Sequence, residues 1–102
     1  MSAGFSHAAA ELTGLISSLL SDADGLSAVV VSAAGAAGMP ALGPPLVREW
    51  PRGLAIAMLC REGHIVVHAL ASEGVCFVDV LIRAPAEADR AMEVIARRLT
   101  NA

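Results

Sequence analysis

The chain has 102 residues, 56% of them hydrophobic but only 3% aromatic, and a net charge of −3. That length suits one domain spanning residues 1–102, with a core built from Ala, Val, Leu and Ile, and the composition argues against disorder. The acidic balance, with no basic cluster, excludes a footprint for nucleic acid. Seven Arg and no Lys exclude every chemistry that uses a lysine amine.

Two cysteines, Cys60 and Cys76, fit neither a zinc-ligand spacing nor a disulfide scaffold, so no metal is expected and both are read as small buried hydrophobes in a reducing compartment. The opening MSAGFSHAAAE lacks a basic segment followed by a long apolar one, so the expected location is cytoplasmic. Gly25 to Val47 carries no charge and is long enough to span a bilayer. Its glycines and the Pro44-Pro45 pair instead punctuate it as strand followed by loop, so no membrane is expected.

In chain order, Leu12, Leu15, Ile16, Leu19 and Leu20 form the stripe of an amphipathic helix over Ala8 to Ser21, with Gly25 suited to a left-handed cap after it. Leu26 to Ser32 is short and β-branched at its centre, which predicts a strand. Ala33 to Pro51 reads as a long Gly- and Pro-rich connection, of a length unusual unless it is mobile or serves a purpose of its own. Trp50 near its end is read as a hydrophobic plug, with ligand stacking as the alternative.

Leu54 to Cys60, Gly63 to Leu70 and Val75 to Arg83 are three strands. Two short turns join them, so they must be antiparallel neighbours. A last helix follows, with Pro85 in its first turn and Ala88, Met92, Ile95 and Leu99 as its apolar stripe. The order helix, four strands, helix predicts an α+β two-layer sandwich, an antiparallel sheet with two helices on one face. LAIAMLC and IVVHAL are apolar on both sides, so the second face is expected to pack against another copy of the chain as a homodimer.

His64 and His68 are four apart on one strand. They share a face but stand roughly 13 Å apart, too far for one metal ion. For each, a hydrogen-bonded structural role stands beside ligand contact. Asp79 and Arg83 share the other strand's face with Val75, Phe77 and Leu81 and need partners there, either across a dimer interface or in a small polar pocket.

Glu62, Gly63, His64, His68, Gly74 and the Val78-Asp79-Val80 run, at this spacing, resemble the self-processing segment of the bacterial S-adenosylmethionine decarboxylases. In that family a Glu-Ser-His-x-x-x-His run cuts itself before the serine, which becomes a pyruvoyl cofactor. The resemblance implies the family's fold and, if the reaction is kept, decarboxylation of S-adenosylmethionine for polyamine (spermidine) synthesis. It also marks departures. The serine position is Gly63; the proton-donating cysteine aligns with Arg83, a carboxylate or phosphate clamp and a poor acid. The aromatic and acidic residues that help hold the nucleoside align with Leu70 and Ser72. His68 matches the histidine that assists processing. The family's opening strand has no evident counterpart in MSAGFSH.

The leading expectation is therefore a non-catalytic homologue with no cofactor that binds a small metabolite or pairs with a related subunit, through His64, His68, Leu70, Ser72, Asp79, Arg83 and Trp50. The active decarboxylase and a purely structural dimerisation module are the alternatives.

Overall fold

In a computed structural model, which describes residues 4–100, the chain forms an open five-stranded antiparallel sheet with helices on one face. The elements in order are β1 (Phe5–Leu12), α1 (Ser17–Leu20), α2 (Ala23–Ala36), β2 (Leu46–Trp50), β3 (Gly53–Cys60), β4 (Gly63–Leu70), a 3-10 turn (Ala71–Glu73), β5 (Val75–Arg83) and α3 (Ala88–Thr100). The strand order is β1-β5-β4-β3-β2. This is the expected α+β sandwich, with five strands in place of four and three helices in place of two.

The strands from Gly53 onward stand where their β-branched runs and short turns put them. Cys60 pairs with Gly63 across the two-residue turn Arg61-Glu62, and Leu70 pairs with Val75 across the 3-10 turn. Gly74 is left-handed at φ 66 and closes that turn, its N–H donating to the Ala71 carbonyl at 3.2 Å.

Before Gly53 the structure corrects three expectations. The segment expected as the helix Ala8 to Ser21 opens with strand β1, whose eight residues pair with β5 from Phe5 opposite Arg83 to Leu12 opposite Cys76. MSAGFSH therefore does hold the start of an opening strand. The alanines of FSHAAAEL favour a helix locally, but pairing with the edge of β5 outweighs a propensity of a few tenths of a kcal/mol per residue.

The segment expected as the strand Leu26 to Ser32 is the middle of helix α2. Asp22 caps that helix, its carboxylate accepting from the Gly25 N–H at 3.0 Å. Gly25 thus lies in a first helical turn and does not end a helix. Leu26, Val30, Ala33 and Ala34 bury one stripe of α2 against the sheet and α3, so packing overrides the β preference of Val29-Val30-Val31. Finally, Ala33 to Pro51 is no structureless connection: it contains the end of α2 and the whole of β2, which pairs with β3 from Leu46 opposite Ala57 to Trp50 opposite Gly53.

The core lies between the sheet and the helices. Ile56, Ile65, Val67, Val78 and Val80 from the strands meet Leu20, Val30 and Ile95 from the helices, all essentially inaccessible. Cys60 and Cys76 are buried, unbonded thiols among them; burial raises both, Cys76 to about 11, which keeps them protonated. Helix α3 buries Ala88, Ala91, Ile95 and Leu99, with Met92 only partly covered. Pro85 sits in the turn before α3, and the first helical N–H, that of Ala88, donates to Ser6 Oγ on β1 at 2.9 Å. Among the described residues no helix is long and apolar enough to cross a membrane.

Candidate functional site on the open sheet face

Strand alternation divides each strand between two faces, and the helices cover only one. The pairing register maps the other. Along its rows Phe5 stands beside Arg83; His7, Leu81, His64 and Leu59 form the next row; Ala9, Asp79, Val66, Ala57 and Leu46 form the third. Below these lie Glu11, Phe77, His68, Ala55 and Arg48, and then Val75, Leu70, Gly53 and Trp50. Phe5, Leu46, Trp50, Leu59 and Phe77 are large apolar side chains left exposed there.

At the centre, Asp79 binds two imidazoles. His7 Nε2 lies 2.6 Å from its Oδ1 and His64 Nε2 lies 2.9 Å from its Oδ2. An ionised carboxylate only accepts, so both Nε2 atoms donate to it. These contacts, from His7 first and His64 second, hold the Asp79 carboxyl below its ordinary value. The polar partner that Asp79 requires is therefore inside one chain. Arg83 does not supply it: its guanidinium lies over the Phe5 ring, 5.7 Å from the centroid.

His64 thus has the hydrogen-bonded role that was one of its two expected roles, whereas His68 is exposed opposite Phe77 and makes no hydrogen bond among the described residues. His7 was absent from the sequence-derived candidates. Its signal was present only in pairs: His7 lies opposite Leu81, one row from Asp79, and becomes visible once β1 is recognised as a strand. Trp50 is 44% exposed on edge strand β2 and is not a buried plug. Among the described residues no three His, Cys, Asp or Glu side chains converge as metal ligands.

The Arg61-Glu62 turn lies at the upper end of this face. Glu62 holds a left-handed φ of 55, uncommon for a residue with a side chain, and its carbonyl accepts from the Arg83 N–H at 3.0 Å. Gly63 follows. A Cβ built there would run into the Leu81 carbonyl oxygen and lie 2.9 Å from Ile82 Cδ1, so the backbone of β5 occupies the space a side chain would take.

A family model for S-adenosylmethionine decarboxylase matches residues 6–102. The chain belongs to the S-adenosylmethionine decarboxylase family. Among solved structures it is similar to the adenosylmethionine decarboxylase from Aquifex aeolicus VF5, with a TM-score of 0.86 and 21% identity over 97% of this chain and 82% of that one. Likeness at that identity speaks for the fold alone. No curated protein matches the chain.

Proposed function

We propose that this member of the S-adenosylmethionine decarboxylase family is non-catalytic, pairs with a second copy through the open sheet face and binds a small metabolite, working without a cofactor in the cytoplasm. The observation that carries the reading is Gly63. With no hydroxyl, the Glu62-Gly63 bond has no nucleophile to turn it into an ester, and the strand pairing has closed over the gap.

Pairing through the open face rests on what that face exposes. Phe5, Phe77, Trp50, Leu46 and Leu59 form an apolar surface that the helices leave uncovered, while the one acid at its centre is already partnered by imidazoles. His68 stands five residues along β4 from Gly63, roughly 17 Å away. The two positions do not meet within one chain.

Intact mass of the purified protein decides between this reading and the family's reaction. One whole chain is expected. Two fragments split at Glu62-Gly63, the second with a blocked N-terminus, would establish pyruvoyl-dependent decarboxylation instead. A thermal-shift screen with S-adenosylmethionine, its decarboxylated product and free amino acids addresses the third possibility: no stabilisation by any of them leaves a dimerisation module only.

A further inference from the structure

At the opposite end of β3 and β4 from Gly63 lies an open cavity of about 370 Å3, bordered by α1, the β2-β3 turn and the 3-10 turn. That volume falls in the lower part of the range for small-molecule sites. β3 is eight residues long, which separates the cavity from the Glu62-Gly63 turn by roughly 23 Å. Of the residues expected from the sequence to meet a ligand, Ser72 and Trp50 line it; Leu70, His64, His68, Asp79 and Arg83 do not.

The wall has three chemistries. Leu20 and Leu54 make a buried apolar floor. On one side stands Glu49, which shares the covered side of the sheet with its pairing partner Leu54 and has no hydrogen bond or ion pair among the described residues. Across the turn stands Arg52, steadied by Glu73 at 3.3 Å with most of its guanidinium still accessible. Ser17, Ser21 and Ser72 also line the space, the Ser21 hydroxyl donating to the Ser17 carbonyl at 3.0 Å.

A single-charge ligand answers only part of this wall. An inorganic or nucleotide phosphate would bring dianionic charge against Glu49, and a metal ion finds one carboxylate where it needs several ligands. A simple amine leaves the guanidinium unused. A zwitterion with an apolar tail answers every element: ammonium to Glu49, carboxylate to Arg52 and the hydroxyls, side chain onto Leu20 and Leu54. We propose that this cavity binds a free α-amino acid with an aliphatic side chain. The site names the ligand class in the metabolite-binding part of the proposed function and rests on that reading, but it shares no residue with the open face's histidine-aspartate cluster.

The test is calorimetric titration of the full chain with L-leucine, alongside 3-methylbutylamine, which lacks the carboxylate, and 4-methylpentanoate, which lacks the ammonium. Leucine is expected to bind with a Kd below ~1 mM and each comparator at least about tenfold more weakly. Glu49→Gln and Arg52→Ala, both exposed and so not needed for folding, should each weaken leucine about tenfold while the melting temperature stays within a few degrees. Phe77→Asp on the open face should leave the titration unchanged. No leucine binding at ~10 mM, equal binding of the amine, or a Glu49→Gln chain that binds as tightly as the parent would each overturn the proposal. None of these results bears on intact mass or on dimer formation, so failure of the cavity and failure of the non-catalytic reading are told apart.

Discussion

The two faces of the sheet are built from the same strands and obey different rules. On the covered face Ile56, Ile65, Val67, Val78 and Val80 are sealed beneath helices, and no polar or charged residue is buried among the described residues. On the open face a carboxylate and two histidines stand amid exposed Phe and Trp. Residues next to each other in sequence, such as Val78 and Asp79, therefore answer to different demands: the first to volume, the second to its hydrogen bonds and to whatever comes to lie over it.

That contrast sets a ranking of substitutions. Ile65→Ala should cost most, about 4 kcal/mol by urea denaturation, because it leaves a cavity under the helices. A cost under 1 kcal/mol would mean the covered face is packed no better than the open one. Gly63→Ser should cost about 2 kcal/mol, since the Leu81 carbonyl must move to admit a Cβ. The intact mass of this variant should remain that of one chain; clean splitting before the new serine would show that the backbone accommodates the family's chemistry after all.

Asp79→Asn should cost about 1 kcal/mol, because its hydrogen bonds to His7 and His64 are only partly shielded from water. The acid's pKa is lowered in the folded chain, so its stabilising effect is complete above the ordinary carboxylate value of about 4 and is lost as pH falls through the lower folded value. Unfolding measured from pH 6 to pH 2.5 should show the parent losing stability faster than Asp79→Asn at the acid end. Parallel curves would mean that the two imidazole contacts do not persist in solution.

Phe77→Asp should change the stability of the single chain least, within about 0.5 kcal/mol once dissociation of the dimer is accounted for, because Phe77 is 43% exposed. Its effect belongs to assembly: sedimentation should show a dimer for the parent and a monomer for the variant. If both sediment alike, the open face is not where the copies meet.

The strands from Gly53 onward were legible in the sequence because every local signal agreed there, with β-branched runs, two short turns and an alternation that put Asp79 and Arg83 on one side. The apolar surplus of IVVHAL likewise pointed to a face the helices leave open. Before Gly53 the signals conflicted. Alanines in β1 and valines in α2 each favour the structure they do not adopt, and only long-range pairing with β5 and packing against α3 settle them. The same fact hid half of the site. Asp79 and His64 could be placed from their strands, whereas His7 joins them only through a pairing that no local pattern announces.

That pairing also bears on the order in which the molecule can be made. β1 leaves the ribosome ahead of the other four strands of this sheet, yet its partner β5 is the last of the five to follow. Until then Phe5–Leu12 has no strand to join, and the Ser6 hydroxyl that receives the first N–H of α3 waits as well. Closing so large a loop is entropically costly and comes late. A nascent chain halted after β4 should therefore hold an apolar, unpaired opening segment open to chaperones and proteases, and release of β5 and α3 should be the step that protects it.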